Sequence, residues 1–381
     1  MSDYDVAVAG GGPAGAAVSI VLARLGWRVL LADASDAEAF RVGEGFAPMG
    51  HSLLRELGVL ERFLTDQHRI SYGTVSAWGS DELQAIDFML NLQGHGYQLD
   101  RVRFDAMLRQ AAREAGAEVC EGTRLEPLLE QSGVTEFRLT DEQKPQVGPY
   151  SAKWLVDATG RTASIARTRG GSRVNQDRLL AFWALLDSSD NGDCDGRTLV
   201  EAEPAGWWYS VLLPSGKRLA AYLTDADLAD RPACLSSEGF QEKLFQTNHL
   251  HTLCIQHGYH LSQKPRGADA SSARLDRFFG SNWLAVGDAA LSFDPLSSQG
   301  ILNALHTGIR AGKSLDSCLQ GEPSALDAYA DHLADIHTAY LSNRAKFYSV
   351  ENRWIDKEFW VRRQRDGDKR GNVSGGKKTL L

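Results

Sequence analysis

Six residues near the start of the chain, Gly10-Gly11-Gly12-Pro13-Ala14-Gly15, constrain the fold more than any other feature. They follow the apolar run Val6-Ala7-Val8-Ala9, which suits a buried parallel strand. They open a stretch rich in Ala, Val and Leu that runs from Pro13 to Leu25 and is stopped by Gly26, the pattern of a helix. Arg28 to Ala32 reads as a second buried strand with Asp33 at its tip. The unit is βαβ, and its glycines meet the pattern G-x-G-x-x-G. Gly10 permits the tight turn, Gly12 lets backbone approach a pyrophosphate, and Gly15 lets the helix pack close to the strand. Pro13 and Ala14 begin the helix, whose free N–H groups and dipole favour an anion. Asp33 is positioned to accept hydrogen bonds from ribose hydroxyls and would repel a 2′-phosphate. The pattern predicts dinucleotide binding but does not separate FAD from NAD.

Length and charge narrow the setting. A chain of 381 residues allows about two domains and a large core. The net charge of −8 argues against a general nucleic-acid binder. Cys120, Cys194, Cys234, Cys254 and Cys318 are scattered and never in CxxC spacing. That excludes a disulfide framework, and no metal site is expected. The N-terminus lacks a signal-peptide pattern and no apolar run is long enough to span a membrane, so a cytoplasmic location is expected.

Further along, Pro48–Leu57 and Arg103–Ala115 have helical spacing. Ala117 to Val156 reads as a small antiparallel meander. Leu179–Leu186, Thr198–Ala202, Trp207–Leu213 and Arg218–Leu223 read as a second, antiparallel run of strands. Gly300–Leu319 and Ala325–Phe347 read as long helices, and Arg362–Leu381 as a frayed tail. The expected fold class is α/β: a Rossmann-like dinucleotide domain, an inserted antiparallel β-sheet domain and a C-terminal helical segment. Two segments favour FAD over NAD. Asp157-Ala-Thr-Gly-Arg161 follows the strand Trp154-Leu-Val, and Gly287-Asp288 follows Trp283-Leu-Ala-Val. After the latter comes Phe293-Asp294-Pro295-Leu-Ser-Ser-Gln299-Gly300, a Pro turn leading into a helix. A second anion-friendly helix start is what an extended cofactor with a ribityl chain needs.

Together these motifs resemble the flavin-dependent monooxygenases of the para-hydroxybenzoate hydroxylase fold. The resemblance implies bound FAD, reduced by NAD(P)H or by a separate flavin reductase. It gives Asp288 the ribityl chain and sets Pro295 and Gly300 along the isoalloxazine. It also gives Arg101, in an R-x-x-F-x-x-x-L pattern, a cofactor contact, and Asp157 and Arg41 join the cofactor set. On this basis residues 1–75, 100–170 and 275–320 form the FAD-binding domain and 76–99 with 171–274 the substrate domain. The C-terminal helices then cover 321–363 and the tail 364–381.

Arg41-Val-Gly-Glu44 and Tyr97-Gln-Leu-Asp-Arg-Val-Arg-Phe-Asp105 look like the tryptophan-halogenase branch. Halogenases carry a catalytic lysine in K-x-G before a tryptophan, whereas the matching stretch here is Ser71-Tyr72-Gly73 before Trp78. Gln299 also departs from their halide loop, so halogenation is disfavoured. What remains is similar to the LodB/GoxB/QhpG-type flavoproteins of quinone-cofactor biogenesis. That likeness implies hydroxylation of an aromatic ring, with a tryptophan in a partner protein or peptide as substrate. A hydroxylase of a free small aromatic, an oxidoreductase of geranylgeranyl-reductase type and a non-enzymatic flavin-binding assembly factor stay open.

Within this frame Glu44 and His95 are the candidate proton-handling residues. Trp207, Trp208 and Tyr209 are candidates for lining an aromatic pocket. The cluster Trp354, Phe359, Trp360, Arg362 and Arg363 offers either a docking surface or a packed helix.

Overall fold

The computed structural model describes residues 3–35, 40–88, 94–131, 133–141, 144–188 and 192–371. One sheet has the strand order Phe279–Gly280, Trp283–Ala285, Lys144–Asp157, Tyr4–Ala9, Val29–Asp33, Glu118–Glu121. From Trp283–Ala285 to Glu118–Glu121 all neighbours are parallel. Val6, Ala7, Val8, Leu30 and Leu31 are wholly buried, as continuous apolar runs covered on both faces must be. The helix Pro13–Arg24 packs on Gly300–Leu319. Their backbones meet closely at Gly308, where a Cβ would stand 2.4 Å from the Ala14 carbonyl oxygen.

The second large sheet runs Tyr259–Leu261, Leu179–Ser188, Arg218–Asp225, Gly206–Leu212, Thr198–Glu203, Gly73–Ala77, Gln84–Asp87. It is antiparallel except where Thr198–Glu203 meets Gly73–Ala77. Side chains alternate between its faces. One row across it is Trp183, Ala221, Tyr209 and Val200, and the next contains Ala181, Leu223, Trp207 and Ala202. The other face carries Phe182, Tyr222 and Trp208, and Trp208 packs on Phe240 with ring centroids 5.2 Å apart. Thus the strand period decides which aromatics share a surface.

The structure corrects several expectations. Glu118–Glu121 is not part of the antiparallel meander. It follows the helix Arg101–Glu114 and runs parallel to Val29–Asp33, so the intervening chain makes a crossover. The helix starts at Arg101 because Asp100 caps it, accepting from the Arg103 N–H at 3.1 Å. Gly96–Gln98 pairs with Gly45–Phe46 and Arg69–Ser71 rather than with the second large sheet. Gly73–Ala77 joins that sheet, so the chain crosses into it before residue 76.

The expected frayed tail is the helix Glu358–Gly371, and residues 372–381 lie outside the described part. Its first turns are core. Phe359 and Trp360 are fully buried, and the Trp360 ring stands 5.3 Å from Trp78. Arg363 is buried, pairs with Asp225 at 2.7 Å and lies over the Phe359 ring. Phe359, Trp360 and Arg363 are therefore packed against the antiparallel sheet, while Trp354 and Arg362 are only half-buried. No helix among the described residues is long and apolar enough to cross a membrane.

Trp360→Ala should cost about 3–5 kcal/mol, the range for truncating a buried aromatic. Urea unfolding checks this, and a loss within about 0.5 kcal/mol, the range of surface changes, would contradict the burial.

Candidate active site

A cavity of about 1140 Å³ extends from the Gly10–Ala14 turn to the Trp183–Tyr209–Val200 face of the antiparallel sheet. At the turn, Gly10 adopts φ +107°, and a Cβ there would strike the Ala158 carbonyl oxygen at 2.2 Å. Gly12 differs: a Cβ on it would meet nothing within 4 Å. The open space in front of Gly12, beside the helix N-terminus, is the shape a pyrophosphate fills. Asp33 lines the same end, with its carboxylate holding the Ser35 N–H at 3.2 Å and facing Arg109 at 3.7 Å. Arg109 Nη1 is buried and has no hydrogen-bond partner. A glycine cradle with an open face at Gly12 and the Asp33 carboxylate at its end fits a dinucleotide.

The middle of the cavity is built by three segments. In the first, Asp105 is buried on the helix Arg101–Glu114 and binds both Arg41 and Arg101 at 3.1 Å. Arg101 also donates to the Gly43 carbonyl at 3.0 Å. These bonds pin the loop that carries Glu44. In the second, Asp288 faces Arg161 at 3.4 Å, while Arg161 donates to the Phe293 carbonyl at 3.0 Å. In the third, Asp294 caps the turn Pro295–Ser297 through the Leu296 N–H at 3.0 Å. Pro295, Gln299 and Gly300 then line the cavity ahead of the helix Gly300–Leu319.

The far end is an aromatic chamber of Trp183, Trp207 and Tyr209, with Val200, Val211 and Leu296. Glu44 stands on its wall, 2% exposed, with Oε1 unpartnered. Burial pushes its carboxyl up to about 7, while the Arg101 charge and the Gly43 and Glu44 N–H groups pull the other way. Burial, with the nearby Glu44 charge, raises the Tyr209 phenol well above its usual range, so it stays protonated. The only cationic side chains lining the cavity among the described residues are arginines, and no lysine is among them.

Gly10, Gly12, Pro13, Ala14, Asp33, Arg41, Glu44, Arg101, Asp288, Pro295, Gly300, Trp207 and Tyr209 all line the cavity. Gly15 lies behind it, where a Cβ would collide with the Gly10 carbonyl at 1.8 Å. Three further candidates do not reach the cavity either. Asp157 is buried, and its carboxylate is taken up by Thr159 at 2.6 Å and the Ala166 N–H at 2.8 Å, so it shapes the turn. Trp208 points to the opposite face of its strand. His95 belongs with the small sheet, where Nε2 stands 3.0 Å from the Tyr97 hydroxyl. Ser71 is buried there too, 3.4 Å from Gln98 Nε2.

Sequence reasoning missed Trp183, Asp105 and Arg109. The alternation Ala181, Trp183, Leu185 would have put Trp183 on the Trp207 face once both strands were paired with Arg218–Asp225 between them. No local pattern marks Arg109, which sits among helix positions that also form the core.

Comparison with known proteins is consistent with this geometry. The FAD binding domain family matches residues 3–344. LodB of Marinomonas mediterranea, whose name gives it as an FAD-dependent oxidoreductase, is 30% identical over 370 residues, covering 95% of this chain and 97% of its own. The myxobacterial chondrochloren halogenase CndH superposes with a TM-score of 0.85 at 20% identity, over 97% of this chain and 89% of that one. QhpG, a peptidyl tryptophan dihydroxylase essential for tryptophylquinone cofactor biogenesis, superposes with a TM-score of 0.78 at 22% identity, over 95% and 79%. The family match over most of the chain, the near full-length relative and the glycine cradle all lead to one conclusion: the protein belongs to the FAD-binding-domain family and is an FAD-dependent oxidoreductase.

Proposed function

We propose that the protein is a flavin-dependent monooxygenase that hydroxylates an electron-rich aromatic ring. Its substrate is a tryptophan held in a protein or peptide, on the way to a tryptophan-derived quinone cofactor. The observation that carries this reading is the continuity of the cavity from the dinucleotide cradle to a chamber walled by Trp183, Trp207 and Tyr209. The activity in QhpG's name supports the protein-bound substrate. Phe359 and Trp360, being core, lend no support to it.

When bound, reduced FAD with dioxygen supplies the electrophilic oxygen and two electrons; one oxygen atom enters a ring C–H and the other leaves as water. Residues of the chain do the rest. Gly10–Ala14 and Asp33 would hold the adenosine diphosphate half, and Arg41, Arg101 and Asp288 line the stretch beyond. The loop from Pro295 to Gly300 would lie along the ring system. Trp183 and Trp207 orient the substrate by stacking, and Val211 and Leu296 keep water away. Glu44 Oε1, lacking a partner, accepts the ring N–H or a ring hydroxyl and takes up a proton during reaction.

The absence of a lysine among the described lining residues, with Ser71 buried outside the cavity, favours hydroxylation over halogenation. A side chain able to carry a halogen as a haloamine would have to be a lysine within reach of the chamber.

Gly12→Val should abolish FAD binding by filling the open face of the cradle, and Asp288→Ala should weaken it; both purified variants staying fully yellow would contradict the assignment. Glu44→Gln should retain FAD but lower turnover by about 10²-fold or more. The wild-type rate should rise with pH through about 7, where Glu44 loses its proton, and this rise should be absent from the variant. The same carboxyl also bears on stability. Between about 4.5 and about 7 the folded chain keeps a proton that the unfolded chain has released. The cost of burial therefore grows across that window and is complete above it, at roughly 3 kcal/mol. Glu44→Gln should thus raise the melting temperature near pH 8 and leave it unchanged near pH 4. Finally, turnover in excess bromide should give oxygenated product free of bromine by mass spectrometry. A brominated tryptophan formed at the rate of flavin oxidation would overturn the hydroxylase reading.

A further inference from the structure

A buried chain of hydrogen bonds joins the aromatic chamber to the Pro295–Gly300 loop through a residue outside the cavity. The indole N–H of Trp207 donates to the Tyr348 hydroxyl at 3.2 Å, and Tyr348 donates to Asp294 Oδ2 at 2.8 Å. The other oxygen of Asp294 holds the Leu296 N–H. The direction of this chain is forced. An indole nitrogen can only donate, so Tyr348 accepts from Trp207 and its single proton must go to the carboxylate. Tyr348 and Asp294 are each 1% exposed, so water cannot substitute for either bond.

The surroundings hold Tyr348 in place. Arg344 and Arg363 lie over its ring at 5.5 and 5.1 Å, and Trp78 packs edge-on at 5.7 Å. Arg344 bridges Asp294 at 3.4 Å to Asp177 at 2.9 Å, the latter at the entry to the antiparallel sheet. Tyr340 stacks on Phe293 at 4.3 Å and accepts from the Asp294 N–H at 2.9 Å.

We propose that Tyr348 is a positioning residue: its hydroxyl sets the Pro295–Gly300 loop against Trp207, so that the chamber wall and the loop facing the flavin move as one unit. A linked set of buried hydrogen bonds strengthens each member, and a change at either end is felt at the other. This rests on the chamber being the substrate site. Its test needs no substrate, so failure here is distinguishable from failure of the hydroxylase reading.

The test compares the FAD-loaded wild type with Tyr348→Phe, which keeps the ring and removes only the hydroxyl. Hydrogen exchange in the 294–300 segment should become roughly fivefold faster, the change expected from one lost hydrogen bond. The visible absorption band of the bound flavin should shift while FAD content is retained. Trp207→Phe, which removes the donor at the far end, should shift the band in the same direction. The double variant should then add little to either single one, because both cut the same chain. Unchanged exchange and an unchanged band in Tyr348→Phe, or strictly additive changes in the double variant, would overturn the proposal. If Tyr348→Phe fails to retain FAD, Trp207→Phe alone must still speed exchange in the loop; exchange at the wild-type rate overturns the proposal.

Discussion

The cavity depends on a carboxylate taken out of water. Asp294 is 1% exposed, and a buried charge costs several kcal/mol unless its oxygens are paired. Here Leu296 fills one oxygen, and Tyr348 and Arg344 share the other. The partners come from the long helix Ser324–Val350, and Arg344 passes the contact on to Asp177. The Pro295–Gly300 loop lining the cavity, the helix Ser324–Val350 and the antiparallel sheet therefore share one set of interactions. Loss of the helix would leave the carboxylate uncompensated. Past its dinucleotide domain the chain folds back, and its buried Phe359, Trp360 and Arg363 pack against the second sheet.

How much of this was legible in the sequence follows from the range of each signal. The opening βαβ unit and the helix Gly300–Leu319 are encoded locally, by unbroken apolar runs, glycines and a Pro turn, and both were read correctly. Strand direction is not encoded locally, so Glu118–Glu121 was read as antiparallel although the preceding helix makes it a parallel crossover. A carboxylate just after a strand looked the same at Asp157 and at Asp288. Yet the first turns inward to Thr159 and Ala166, and only the second faces the cavity. Trp207 and Tyr348 are far apart in the chain, and no pattern on either strand or helix announces their bond.

The cavity is chemically graded along its length. Backbone N–H groups and arginines surround the cradle end, which suits phosphates. The chamber end is mainly aromatic and aliphatic, with the buried Glu44 on its wall. A carboxyl near 7 in such a place can hold a proton or take one, and it costs stability to keep there. A purely structural wall would have been served better by a neutral side chain.

The most direct test is turnover under labelled dioxygen, ¹⁸O₂, with chemically reduced FAD, a tryptophan-containing peptide and, in a parallel reaction, free tryptophan. The account predicts that the label enters the indole ring of the peptide at the rate of flavin oxidation, with little entering free tryptophan. Label appearing only in hydrogen peroxide, with both substrates unmodified, would contradict it.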